Sequence, residues 1–225
     1  MDYATMRAIA EDLETYAERL EGTWRVEIGP SGPVLAMTAP SKRREGTVRR
    51  IRKQVESQLP ATHPGFTCVN GPLVEHAARG RLRRPDAVVI PEAALDEDGL
   101  AVEAERVLAA VEITSPGGSG DAHAERLADY PAMGIPHYMI VDPRTGTIEV
   151  HSEPCRGRYS SKEPYIFGDS VPFGAWTVET SEFRRYGRDG WRRPLFTARH
   201  PDVEGSCSAA VCPSFDMQPI GCLTL

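Results

Sequence analysis

The sequence predicts an α/β fold: a mixed β-sheet flanked by helices over about residues 1–190, followed by a tail over residues 191–225. Three observations carry that reading. Two stretches place apolar residues at helical steps, and short unbroken apolar runs mark strands covered on both faces. One strand–helix–strand succession then requires a crossover between parallel strands.

Taken in order, Met6, Ile9, Leu13, Tyr16 and Leu20 recur at steps of three and four, giving one apolar stripe on a helix that Gly22 ends. Trp24–Ile28 and Val34–Met37 read as two strands joined by the turn residues Gly29-Pro30-Ser31-Gly32-Pro33. A second helix follows Pro40, with Val48, Ile51, Val55 and Leu59 as its buried stripe and Pro60 as its stop. Phe66–Val69 is a short strand and Ala87–Ile90 a stronger one, while the acidic segment from Pro91 to Glu105 reads as a loop. Val107–Ile113 is a continuous apolar run broken only by Glu112, as in a central strand. The glycines and prolines of 115–120 end it, and Asp121 is placed to cap a helix running toward Met133. Tyr138–Val141 follows as a parallel strand, and the turn residues Asp142–Gly146 return Thr147–His151 antiparallel beside it. Beyond about Tyr186 no period persists.

Composition narrows the classes. The 225 residues carry a net charge of −6, are 40% hydrophobic and hold 5 cysteines, which excludes collagen-like, coiled-coil and disulfide-scaffold chains. No run approaches the ~18 apolar residues of a membrane helix. The start Met1-Asp2-Tyr3-Ala4-Thr5 lacks a signal peptide's basic and apolar segments, so a cytoplasmic location is expected. The acidic sum argues against a wholly basic nucleic-acid coat protein, yet leaves room for a local basic surface. Lysine is scarce, with only Lys42, Lys53 and Lys162.

The chemistry is signalled by acids where acids are costly. An unpaired buried carboxylate costs several kcal/mol, so Glu112 within an apolar strand needs a cation, a donor or a strand-end position. Asp86 stands immediately before another apolar strand, in Arg84-Pro85-Asp86-Ala87-Val88-Val89. If those strands are neighbours, both carboxylates converge at one end of the sheet. Together with the Ile113 carbonyl and waters they would form an oxygen-ligand site suited to Mg²⁺ or Mn²⁺. Strand alternation places Ala110, Glu112 and Thr114 on one face.

The ordered set of residues resembles the PD-(D/E)XK nuclease superfamily, and within it the Uma-two family of restriction-endonuclease-like proteins. The resemblance rests on Arg25-Val26-Glu27-Ile28, Met37, Pro40, Arg84-Pro85-Asp86 and Val111-Glu112-Ile113-Thr114-Ser115-Pro116, then Tyr130, Gly134-Ile135-Pro136, Tyr138 and Val141-Asp142. It spans roughly residues 20–185 and implies a restriction-endonuclease-like core. The activity it implies is Mg²⁺-dependent hydrolysis of DNA phosphodiester bonds. Asp86 and Glu112 would then be metal ligands, with Glu27 assisting. The superfamily's lysine position, two residues after the glutamate, holds Thr114. In this group the lysine lies four residues before the tyrosine, where this chain has Arg126. An arginine there contacts phosphate or stabilises negative charge but is too basic to accept a proton from water.

Each of these residues has a simpler structural role to set against the chemical one. Glu112 satisfied by a neighbouring arginine, Asp86 as a turn residue, Glu27 or Arg126 facing solvent, and Tyr130 as core packing are the alternatives. His123 sits near the expected site as a helix residue, and the other histidines show no metal-ligand spacing. The stretch from Ser41 to Lys53 holds seven basic residues against one acid, and Lys42, Arg43, Arg44, Arg49 and Arg84 are the candidate phosphate contacts. Cys207, Cys212 and Cys222 in the tail fit no zinc spacing, so a mobile tail with idle thiols is expected. A second functional reading is a catalytically impaired nuclease-fold binding or carrier protein. Its Cys/Ser/Thr tail would be a substrate for a modifying enzyme, and a homodimer is compatible with either reading.

Overall fold

The computed structural model describes residues 1–38, 41–115 and 120–187, with backbone only at residues 38 and 120–123. Pro40, Pro116, the His123 side chain and the whole 191–225 tail with its cysteines therefore lie outside the described residues. The elements run α1 (Tyr3–Ala17), β1 (Thr23–Gly29), β2 (Gly32–Thr38), α2 (Lys42–Thr62), β3 (Phe66–Val69), β4 (Leu73–His76), β5 (Arg81–Arg83), β6 (Ala87–Pro91), β7 (Ala101–Glu103) and β8 (Ala109–Ile113). They continue with α3 (Gly120–Ala132), β9 (His137–Asp142), β10 (Thr147–Cys155), β11 (Arg158–Ile166), β12 (Ser170–Phe173) and β13 (Trp176–Glu179). The fold is α/β with mixed sheets, as the sequence predicts.

The strands form a six-stranded sheet in the order β11-β10-β9-β8-β6-β3, a five-stranded sheet in the order β2-β1-β5-β4-β7, and the hairpin β12-β13. In the larger sheet β8 and β9 pair parallel around the α3 crossover, while β6 pairs antiparallel with β8 through Ala87↔Val111, Val88↔Ala110 and Val89↔Ala109. The neighbour relation that the acid pair requires is therefore present. Alternation sorts this sheet's two faces. Ala87, Val89, Val111, Ile113, Met139 and Val141 pack with the α2 stripe Val48, Ile51, Val55 and Leu59. Val88, Ile90, Ala110, Tyr138 and Ile140 pack with Tyr130 of α3 and with Met133 just after it. Each helix thus covers one face.

The helix starts follow from local chemistry. The Asp2 side chain accepts from Thr5 N at 2.8 Å and caps α1. Ser41 Oγ accepts from Arg44 N at 3.1 Å, and Glu45 lies in the first turn of α2, where the helix dipole favours an acid. Ala10 of α1 packs on Val26, Ile28, Leu73 and Leu82, which seats that helix on the five-stranded sheet.

Three expectations need correction. Pro60 does not stop α2, which continues to Thr62 because a proline in the last turn displaces little of the helix. The Pro91–Glu105 stretch is not an open loop. It carries two short 3₁₀ turns and β7, which pairs parallel with β4 and buries Val102 and Ala104. The single expected sheet is two sheets and a hairpin, since β4, β5 and β7 join β1 and β2 in a layer of their own. Among the described residues, no helix is long and apolar enough to cross a membrane.

The α2 stripe sets a stability prediction. Ile51 is fully buried in the core, so Ile51→Ala should cost about 2–5 kcal/mol, whereas Arg49→Ala on the exposed side of the same helix should stay within about 0.5 kcal/mol. Urea denaturation of both variants checks it, and equal midpoints would contradict the packing described.

Candidate functional site

Strand alternation turns Glu112 away from α2 and toward α3. Its Oε1 accepts a 2.9 Å hydrogen bond from Tyr130 Oη, and Arg126 Nε lies 3.2 Å from the same oxygen as an ion pair without hydrogen-bond geometry. Glu112 is 6% exposed. Burial pushes its carboxyl up to about 7 against the pull of Arg126, with the nearby charges of Asp86 and Glu27 adding to the rise.

Asp86 stands just before β6, one residue beyond the last paired position on that strand, as Glu112 is on β8. Its Oδ2 accepts from Ile113 N at 2.7 Å, stitching Asp86 to the end of β8. Its Oδ1 accepts from Arg44 Nη2 at 2.5 Å and Nε at 3.1 Å, and from Arg25 Nη2 at 3.3 Å. Arg44 Nη1 also donates to Ser115 Oγ at 2.5 Å. One arginine from the first turn of α2 thus ties both strand ends together.

Glu27 comes from the other sheet. It faces inward at 8% exposure, contrary to a solvent-facing role, because Arg126 Nη2 donates to its two oxygens at 3.2 and 3.1 Å and Arg83 Nη1 donates at 3.0 Å. Arg84 N adds a 3.3 Å bond. Burial alone would raise the Glu27 carboxyl, but Arg126 and Arg83 more than offset it, so the group is held below its ordinary range. Arg83 also reaches Asp129 and Glu125 of α3, and Arg81 Nε donates to Asp129 Oδ1 at 2.7 Å.

Of the four residues expected at the centre, Glu27, Glu112 and Arg126 are in contact, and Asp86 adjoins them through its bond to the Ile113 amide, next to Glu112. Arg126 sits between Glu27 and Glu112, and the Glu112 charge chiefly raises its already high pKa, which leaves it a permanent cation. Of the alternatives, two are realised alongside these contacts: Glu112 does have an arginine partner, and Tyr130 is fully buried core as well as a donor.

Two of the expected phosphate contacts are placed elsewhere. Arg44 is 8% exposed and spent on Asp86, because the first turn of α2 points it at the strand ends. Arg84 is half-buried, with Nη2 on Glu14 Oε1 at 3.1 Å and Nη1 on the Gly71 carbonyl. Lys42, Arg43 and Arg49 are exposed on α2. Residues not foreseen are Arg25 and Arg44 as partners of Asp86 and Arg83 with Asp129 behind Glu27. Tyr186 is another, its Oη donating to the Thr114 carbonyl at 3.2 Å. The arginines 79–84 leading into Asp86 were the available signal for Arg83.

Among the described residues no group of three or more His, Cys, Asp or Glu is arranged to hold a metal ion. Magnesium needs less from the protein: one or two carboxylates, with water and substrate phosphate completing the shell. Asp86 and Glu112 fit that donor chemistry. Glu112 Oε2 accepts no hydrogen bond among the described residues, and Asp86 Oδ1 would have to exchange Arg44 for the ion.

Comparison with known proteins agrees with this architecture. A profile of the Uma2 family, described as "Putative restriction endonuclease", matches residues 10–175. Among solved structures, a "putative nuclease belonging to DUF820" from Anabaena variabilis superposes with a TM-score of 0.54 at 14% identity, over 71% of this chain and 87% of that one. At that identity the likeness speaks for the fold. No curated protein sequence matches.

The charge network sets a prediction. Arg83→Ala removes the cation that Glu27 and Asp129 share while Arg126 and Arg81 remain on them, and should destabilise the protein by about 1.5–3 kcal/mol. Chemical denaturation at neutral pH reads this directly, and a loss below about 1 kcal/mol would mean the network carries little.

Proposed function

Because the chain belongs to the Uma2 family, described as "Putative restriction endonuclease", we propose that it is a Mg²⁺-dependent endonuclease hydrolysing DNA phosphodiester bonds at the Asp86–Glu112 strand ends. One observation supports this above the rest. Asp86 and Glu112 stand at neighbouring positions on adjacent antiparallel strands, and a third acid, Glu27, and a permanent cation, Arg126, reach Glu112 from other elements.

Asp86 and Glu112 would hold the ion, with Mn²⁺ as an alternative, and the Ile113 carbonyl as a further oxygen. When bound, the ion lowers the pKa of a coordinated water and offsets charge on the scissile phosphate. The chain's own residues divide the remaining work. Tyr130 Oη fixes the orientation of Glu112. Arg44, Arg25 and the Ile113 amide fix Asp86, and the two arginines are the donors that would have to yield Oδ1 to an ion. Glu27 stays ionised at neutral pH and anchors Arg126, whose planar guanidinium then presents its remaining N–H groups to a phosphate oxygen. Arg126 holds charge and moves no proton.

A second reading, a nuclease-fold binding or carrier protein without hydrolysis, is favoured by one specific observation: both oxygens of Asp86 are already occupied by donors within the protein. Metal titration separates the two. Calorimetry should register Mg²⁺ or Mn²⁺ binding to the wild type and none to Asp86→Asn. No heat with either protein would favour the binding reading.

Cleavage of supercoiled plasmid DNA in Mg²⁺ or Mn²⁺ tests the reaction itself. Asp86→Ala and Glu112→Ala should lower the rate by about 10²–10³-fold, and Arg126→Ala by about 10²-fold. Arg126→Lys should recover part of the activity lost in Arg126→Ala, since it restores the charge but not the fork that spans Glu27 and Glu112. Cleavage undiminished in Asp86→Ala or Glu112→Ala would reject the assignment.

A further inference from the structure

The exposed side of α2 holds a concavity that the acid cluster does not use. It measures about 370 Å³, and its walls are Lys42, Arg43 and Arg50 from α2 and Arg184 and Arg185 from the segment after β13. All five basic residues are exposed. Arg50 alone among them has a carboxylate partner, Glu182 at 3.2 Å, and that pair is exposed and weak. Arg43 donates to the Arg185 carbonyl at 2.7 Å, and Arg184 donates only to the carbonyls of Ser181 and Phe183. Four positive charges thus surround one hollow uncompensated among the described residues.

The wall opposite α2 is fixed. Tyr186 N donates to the Pro143 carbonyl at 2.9 Å, the Arg43 bond clasps the Arg185 carbonyl, and the Arg185 guanidinium packs over Gly146. The floor is Gly46 and Thr47. A glycine in a helix interior costs roughly 1 kcal/mol relative to alanine. Here it leaves that stretch of the lining without a side chain, and a Cβ there would meet only the far end of Arg50, 3.1 Å away at Nη1. Two chain neighbours of its lining residues reach the acid cluster. Arg44, next to Arg43, holds Asp86, and Tyr186, next to Arg185, reaches the Thr114 carbonyl at the end of β8.

We propose that this concavity is a phosphate-binding site for the nucleic-acid backbone, seating the strand that leads to the Asp86–Glu112 pair. The proposal rests on the phosphodiester reading of that pair. It adds Arg184 and Arg185 to the contact surface, makes α2 and the 184–187 segment its two walls, and assigns Gly46 to the opening. Contacts of this kind position the backbone and carry no base sequence.

The test is binding of a fluorescein-labelled DNA duplex in EDTA, read by anisotropy across a salt series, so that cleavage does not enter. Each lost phosphate contact should flatten the plot of log affinity against log salt by about 0.9. Arg184→Ala/Arg185→Ala should therefore flatten it by about 1.8 and lower low-salt affinity by about tenfold. Gly46→Gln keeps every charge but fills the hollow, and should lower affinity comparably. Removal of two exposed arginines on the β10–β11 hairpin, Arg156→Ala/Arg158→Ala, should leave the slope unchanged. The proposal is overturned if Gly46→Gln binds like wild type, if the hairpin variant flattens the slope equally, or if wild type does not bind the duplex. Wild-type binding with these slopes but no cleavage in Mg²⁺ would overturn the hydrolytic reading alone.

Discussion

Everything at the centre of this molecule depends on compensating buried negative charge. Glu27, Asp86 and Glu112 are each less than a tenth exposed, and a carboxylate buried that deeply is costly unless it is paired. The partners are arginines from elements distant in sequence: Arg44 from α2, Arg83 from β5 and Arg126 from α3. Arg126 is the join, because it touches Glu27 of the five-stranded sheet and Glu112 of the six-stranded sheet together. Packing alone brings α3 against the larger sheet; the ion pairs fix which residues of β1 and β5 face it.

That compensation explains why an arginine chain suits this site. A guanidinium has several N–H groups in one plane, so Arg126 serves two carboxylates and Arg44 serves a carboxylate and a hydroxyl at once. A lysine ammonium at either place would be one point of charge. The same arrangement leaves Asp86, Glu112 and Glu27 each paired with an arginine.

Much of this was legible in the chain because the signals were local. The apolar run around Glu112 and the apolar run directly after Asp86 point to strand positions for both acids, and the family resemblance adds Glu27 and Arg126. The stripe of α2 and the β8–α3–β9 crossover were legible for the same reason. What stayed hidden was long-range or short-patterned. Strands β4, β5 and β7 have only three or four residues each, too few for alternation to register, so the second sheet was not foreseen. Arg44 looked like one more exposed cation in a basic run, since nothing in sequence says that its partner lies 42 residues away. Arg184 and Arg185 acquire meaning only through their position beside α2, and the net charge of −6 conceals the basic hollow altogether.

The proposed function stands on Asp86 and Glu112 forming one cation site from which Arg44 withdraws. Anomalous diffraction from a crystal soaked in Mn²⁺ locates such an ion. A manganese peak is expected between the two carboxylates, with the Arg44–Asp86 pair parted. No peak there while that pair stays closed would contradict the proposed site.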